Sequence, residues 1–341
     1  MESNNIMQEK LNNSLPLFNG VSKKFDDSTF WGRFQNFRDV TDPSTLFCSK
    51  AQLEQSQKLL EDFKKGLVDP TVSNLQLWNA KKNVDAIIHP DTGKSIFLPF
   101  RMSAFLPINV VICAGLILPN ASIGTTIFWQ WVNQSYNIAL NHANRNASNQ
   151  MTNKQILNAY LSAVGISCSL AVGLGYAVDK LSNSYIKNPN VIKGLKMMVP
   201  FTAVTSAGIA NVLIMRRNET VNGIDVRDKD GNVYGKSKVA GREAVYKVAF
   251  SRAATSFPAL LLPNIVMTLF EKLKFVQNYP KVKMPLNLAV IGVIFNTSLP
   301  AAIAMFPQES VISVDNLEPE FKNLKDKNGN PITELIYNKG L

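Results

Sequence analysis

The sequence predicts an all-α membrane protein: about five transmembrane helices plus an amphipathic helix, with a small helical N-terminal soluble region ahead of them. Two observations carry this. Five windows, 102–119, 155–178, 194–215, 248–270 and 284–306, are uncharged or nearly so and close to the length needed to cross a ~30 Å hydrocarbon core as a helix. The mean hydropathy of −0.01, high for a chain with 18% charged residues, averages a polar first hundred residues with this apolar remainder.

In chain order, residues 1–27 read as a disordered, Asn-rich extension. They carry neither a secretory apolar core nor an Arg-rich presequence. Residues 28–100 read as the soluble helical region. Its first part holds Phe30, Trp31, Phe34, Phe37 and Phe47, a set that suits a small core better than a headgroup interface. Ser49 with Gln52 and Ser73 with Gln76 are capping boxes that start two helices, and Gly66 stops the first. His89 to Gly93 reads as a helix end and turn.

Residues 101–306 form the transmembrane domain. Arg101 stands at the entrance to the first window, and Pro107 and Asn109 interrupt its first third. Residues 121–141 are uncharged but half polar, which fits an amphipathic helix at the interface or lining a polar cavity. The second window is rich in Gly, Ala and Ser, which allow close helix approach. Asn211 lies in the third window, Arg252, Pro258, Pro263 and Asn264 in the fourth, and Asn296 and Pro300 in the fifth. Residues 307–341 are a C-terminal tail. An odd number of spans puts the termini on opposite sides. Loops 179–193 and 271–283, on the side of the N-terminus, carry seven lysines in 28 residues; loops 120–154 and 216–247 carry ten Lys or Arg in 67. The denser charge marks the N-terminal side as the inside face.

The net charge of +11 is spread through loops rather than clustered, which argues against nucleic acid as a partner. Gly93-Lys94-Ser95 and Gly235-Lys236-Ser237 end like a P-loop, but Ile88 and Asp230 stand where its first Gly belongs. Asp228 to Asn232 starts like a calcium loop, but Val233 occupies the sixth position, so a hairpin turn is the better reading. Two distant histidines and three unclustered cysteines offer neither a catalytic pair nor a metal site. Arg101, Pro107 and Asn109 are faintly echoed by Arg252, Pro258 and Asn264, as an inverted repeat would require.

The motifs together resemble the sideroflexins, a family of mitochondrial inner-membrane carriers. The resemblance runs from Asp27 to Leu341. It rests on TDPS at 41–44, HPDTG at 89–93 (His89, Pro90, Asp91, Thr92, Gly93) and RMSA at 101–104 with Pro107 and Asn109. It continues through FWQWVNQSYN at 128–137 (with Trp129, Gln130, Trp131, Asn133 and Gln134), NRNAS at 144–148 and PF at 200–201. DKDGNVYGKS at 228–237, FPQES at 306–310 and YNKGL at 337–341 complete it. It implies five spans, an N-terminus in the matrix, and transport of serine or other small neutral amino acids for one-carbon metabolism. It implies no catalytic residue, cofactor or metal. A second class of function, a non-transporting adaptor in iron and haem homeostasis or respiratory-complex assembly, is also implied, and leaves the soluble region as its support. The oligomeric state stays open.

For a carrier, a zwitterion needs a cation for its carboxylate and oxygens for its ammonium. Arg101 and Arg252 supply the first; carbonyls freed by Pro107, Pro258 and Pro263, with Asn109, Asn211, Asn264 and Asn296, supply the second. The competing reading makes each Asn a helix–helix bond and each Arg an interfacial anchor.

Overall fold

The computed structural model describes residues 15–20, 23–89, 92–144, 152–322, 324–325 and 329–339. Most of the 1–27 extension, Pro90, Asp91, residues 145–148 of the NRNAS motif and the final Gly340 and Leu341 lie outside the described residues. The chain divides into two compact units, Met1–Asn109 with Asn137–Gln150, and Val110–Tyr136 with Met151–Leu341.

The first unit holds α1 (Phe30–Val40), α2 (Lys50–Lys64) and α3 (Asn74–Ile87). Both expected capping boxes are present, Ser49 with Gln52 and Ser73 with Gln76. Gly66, at φ 69°, ends α2 as predicted. Phe18 packs edge-on against Phe63 and Trp78, each at 4.9 Å. The Phe18 amide donates to Asn74 Oδ1 at 2.8 Å, and Trp78 Nε1 donates to the Pro16 carbonyl at 2.9 Å. The packed head therefore starts by Leu15 rather than at residue 28, because the Leu15–Phe18 segment supplies an apolar side chain that α2 and α3 need to cover. The aromatic set departs from expectation too: Trp31 and Phe47 are exposed.

The first apolar window forms α4 (Phe105–Leu116), preceded by a 3₁₀ turn from Met102. Even counted from Met102 it rises only ~22 Å, short of the hydrocarbon thickness. Pro107 does not interrupt it. It sits in the first turn, where backbone N–H groups have no helical partner to lose. Pro119 and Asn120, at φ 54°, turn the chain into α5 (Ile123–Ala143). A Cβ on Gly115 would overlap the ring of Trp129, so α4 and α5 touch through a bare glycine. At ~31 Å, α5 is as long as a span. Its polarity is inverted relative to a helix in water: Gln130, Asn133 and Gln134 are buried while Ile123, Ile127, Phe128 and Trp131 are exposed.

Four long apolar helices follow: α6 (Asn153–Ser184), α7 (Pro189–Met215), α9 (Lys238–Phe270) and α11 (Lys283–Ala304). Short helices α8 (Arg217–Asn222) and α10 (Lys274–Asn278) lie in two of the links. α7 packs on α6, α9 on α7 and α11 on α9. Small buried residues recur along these helices: Ala159, Ala163, Ser167 and Ala171 at every fourth position of α6, and Ala203 and Ala207 on α7.

A four-stranded antiparallel sheet adds to the helices, in the order β2 (Val233–Ser237), β1 (Ile224–Arg227), β4 (Glu334–Asn338), β3 (Glu309–Ser313). The expected hairpin joins β1 to β2. Asp228 holds its turn, accepting from the amides of Asp230 and Asn232 and from Asn232 Nδ2. The C-terminal tail supplies the other two strands. Ile312, Leu335 and Tyr337 alternate inward to pack on Val226 and on Ala240 and Ala244 of α9. Glu318, on the tail, caps α9: its Oε1 accepts from the amides of Lys238 and Val239 at 2.7 and 3.0 Å, and its Oε2 from Ser237 Oγ at 2.7 Å. Burial pushes the Glu318 carboxyl up, but these donors outweigh it and hold it below the ordinary carboxylate value.

Two consequences are measurable. Glu318→Gln removes a charge from a helix N-terminus, at a cost of about 1 kcal/mol. Amide exchange across residues 234–241 should quicken several-fold at neutral pH. Because the folded pKa is depressed, the stabilisation is complete above the ordinary carboxylate value and is lost as pH falls through the folded one. The gap between wild type and variant should therefore close on acidification; a gap that widens would exclude the cap. Gly115→Val forces a branched side chain into the Trp129 ring, which costs about 1–3 kcal/mol. The melting temperature in detergent should fall by several degrees and recover when Trp129→Leu is added. An unchanged single variant would show that α4 and α5 do not meet there.

Candidate functional site

Two polar groupings lie inside the second unit, and they differ in whether their atoms are satisfied. The first joins α5 to α6. Gln130 and Gln134, one turn apart on α5, meet Ser167 of α6, and all three are buried. The Ser167 hydroxyl donates to Gln130 Oε1 and accepts from Gln134 Nε2 at 3.4 Å. On the adjoining face, Trp131 Nε1 donates to the Tyr160 hydroxyl at 2.7 Å, with Ser135 Oγ 3.0 Å from the same oxygen. Tyr160 and Ser167 are seven residues apart and so share a face of α6. In a dry interior such groups must find one another. Gln130, Gln134 and Ser167 bond to one another, which makes the first grouping a brace.

The second grouping lies between α7 and α9. Thr205, Gly208 and Asn211 follow one another at three-residue spacing on one face of α7. A Cβ on Gly208 would lie 3.9 Å from the Cβ of Arg252, so the bare glycine adjoins the arginine of α9. Arg252 is half-buried. Asn211 is 5% exposed, and its Oδ1 is buried without a hydrogen-bond partner, as is Thr205 Oγ1. Each such atom costs about 1–3 kcal/mol until it finds a partner, which makes this stretch of α7 a candidate for ligand contact. Apolar contacts bracket the patch. Toward the sheet, Val212 packs with Val245, Val248 and Ala249. On the other side, the rings of Phe201 and Phe257 meet edge-on at 5.9 Å. On α11, Asn287 Oδ1 and Ser298 Oγ are also buried without a partner, three turns apart on one face.

Of the sequence-expected binding residues, the structure brings Asn211 and Arg252 to this patch and uses most of the others elsewhere. The carbonyl that Pro263 frees, that of Ala259, accepts from Cys113 Sγ of α4 at 3.0 Å. It is therefore not available to an ammonium. Asn264 Nδ2 donates to the Leu260 carbonyl of its own helix at 3.3 Å, and Asn109 Nδ2 to that of Phe105 at 2.9 Å. Asn296 is exposed, and Pro258 is half-buried within an unbroken α9. Arg101 Nε donates to the Ile96 carbonyl at 3.0 Å, and Arg101, Pro107 and Asn109 belong to the first unit. Pro107 is exposed. Thr205 and Gly208 were not among the expected residues; their spacing with Asn211 is the signal that could have found them.

His89, Thr92 and Gly93 act as a turn. The His89 amide donates to the Lys94 carbonyl, and the Gly93 amide donates to the His89 carbonyl, both at 2.9 Å, with Gly93 at φ 64°.

A family model described as sideroflexins matches residues 21–341. The chain is 74% identical to a sideroflexin of Dictyostelium discoideum, over 96% of this chain and 99% of that one. It is 42% identical to human sideroflexin-5, over 96% of this chain and 94% of that one, and 37% identical to human sideroflexin-3, over 96% and 99%. No solved structure matches it. The chain belongs to the sideroflexin family.

Proposed function

We propose that this protein is a mitochondrial inner-membrane carrier, not an enzyme, that moves serine or another small neutral amino acid for one-carbon metabolism. Its N-terminus is read as facing the matrix and its substrate as held between α7 and α9. The observation that supports this is the pair of buried, unpartnered oxygens, Thr205 Oγ1 and Asn211 Oδ1, on the α7 face that adjoins Arg252.

The chemistry suits a zwitterion. Arg252 presents a planar fork that matches a carboxylate. Asn211 Oδ1 accepts from an ammonium, and Thr205 Oγ1 can accept from an ammonium or from a substrate hydroxyl. Gly208 lets α7 approach the Arg252 stem closely, since a Cβ there would already be in van der Waals contact with it. The five apolar windows hold no Asp or Glu, so no intramembrane carboxylate relay couples the movement to protons, and exchange or facilitated movement is the expected mode.

Uptake of labelled serine, alanine, cysteine and glycine into vesicles holding the purified protein tests the reading. Arg252→Gln loses charge and fork together. Serine uptake should fall by thirtyfold or more, corresponding to about 2 kcal/mol or more for a buried charge pair. Arg252→Lys should retain weak uptake, and both variants should insert normally. Wild-type flux in a correctly inserted Gln variant would return Arg252 to the role of interfacial anchor. No flux from correctly inserted wild-type protein would instead favour the adaptor class of function.

A further inference from the structure

In the first unit, residues distant in sequence gather at the base of the apolar helix α4. The 3₁₀ turn Pro43–Phe47 packs on the turn Met102–Ala104 that leads into α4. Phe47 is thereby carried to the point where the uncharged run begins, and it is 86% exposed. Phe97 and Leu98 reach the same point along the chain and are 68% and 47% exposed. The Phe97 ring stands edge-on to that of Phe100 at 5.7 Å. Asn144 Nδ2, at the end of α5, fixes this bend by donating to the Phe100 carbonyl at 2.8 Å. Lys50 and Lys94, each three residues along the chain from Phe47 and Phe97 respectively, are exposed, and Arg101 is half-buried.

We propose that Phe47, Phe97 and Leu98 form a collar that seats the N-terminal head in the headgroup layer of the bilayer. Chain reach argues for lipid as the occupant. Five residues separate Phe97 from Met102, so even a fully extended chain holds Phe97 within ~18 Å of the start of the apolar run. The turn contact holds Phe47 closer. The headgroup region adds roughly 5–8 Å to each side of the hydrocarbon. Aromatic rings flanked by lysines at the foot of an apolar helix have the composition of a membrane–water interface, and the lysines add attraction to anionic lipid. A water-facing head would leave Phe47 hydrated beside an entrance already bordered by lipid. The docked head gives the exposed rings a surface on which burial is favourable.

The test uses the full-length protein in vesicles of phosphatidylcholine and phosphatidylglycerol. Cys48→Ser and Cys168→Ala are introduced, and the buried Cys113 is kept. A nitroxide is then placed on a single cysteine by Phe47→Cys, Phe97→Cys or, as a water-facing control, Lys58→Cys. Labels at 47 and 97 should collide preferentially with oxygen, and the label at 58 with a water-soluble nickel chelate. A second variant pair, Phe97→Asp with Leu98→Asp, lies on exposed positions and should fold; it should raise nickel access at a label on 47 several-fold. Equal nickel access at 47, 97 and 58 would overturn the proposal. Shielding of 47 and 97 from both reagents would overturn it too, since a protein surface, such as a second copy of this chain, would then cover the collar.

Discussion

The constraint on which the membrane helices depend is the absence of water around them. A polar group in hydrocarbon has no solvent to bond, so most are satisfied by another part of the chain. The hydroxyls of Ser251, Thr255, Ser256 and Thr268 bond back to carbonyls of α9. Cys113 donates to the carbonyl that Pro263 leaves without a donor, so a proline in the middle of a span needs no break in the helix. α5 turns its glutamines inward for the same reason. Each of these would be unremarkable in water, where solvent competes for the same atoms, and each becomes obligatory in lipid.

At the sheet the balance of forces changes. There the ends of the long helices are tied by charged and hydrogen-bonded contacts. Arg216, at the end of α7, donates to Glu219 and to the Lys339 carbonyl. Lys339 Nζ donates to the Phe306 carbonyl just beyond α11, and Lys247 Nζ of α9 donates to the Tyr337 hydroxyl at 2.8 Å. With the Glu318 cap, these contacts fasten α7, α9 and α11 to one small apolar core. At the opposite ends, Lys196 pairs with Asp179 at 2.9 Å, both more than half exposed, Lys283 pairs with Glu271 at 3.6 Å, and Lys193 Nζ donates to Thr268 Oγ1. An exposed ion pair is worth about 0–1 kcal/mol. The strongest ties therefore sit at the sheet end of the helices, which is also the end nearer Asn211 and Arg252.

What was legible in the sequence was local or periodic. Ser49 and Ser73 announce their helices because a capping box is a four-residue event. The Asp228–Asn232 turn is legible for the same reason, and the four long helices follow from length and composition. What escaped depended on contacts across the chain. Pro107 looked like a breaker because its position within the helix was unknown; a start at Phe105 makes it harmless. The 121–141 helix was seen, but amphipathicity alone could not say which face turns inward, and the answer came from Ser167. The strands of the tail alternate in the sequence, yet they are only five residues each, and nothing local marks their partner as a loop about a hundred residues earlier. Among the candidate site residues, Asn109, Asn264 and Asn296 could not be told from Asn211 by type, since all are asparagines in apolar windows.

The distinction among them lies in how their atoms are used. Asn109 and Asn264 each donate to a carbonyl one turn back, a bond any helix can offer. Asn296 faces outward. Gln130 and Gln134 are more deeply buried than any of these, but Ser167 bonds to both, so a ligand there would have to break the bonds it replaced. Asn211 Oδ1 and Thr205 Oγ1 have no such bond to lose. Two unsatisfied oxygens at about 1–3 kcal/mol each are a large fraction of the 5–15 kcal/mol that stabilises a typical fold. On the proposed function, a ligand that donates to both would recover that cost on binding. The same unsatisfied oxygens gain nothing from an apolar molecule. On the proposed function, a preference for a small polar ligand over an apolar one would follow from the unsatisfied state of these two oxygens.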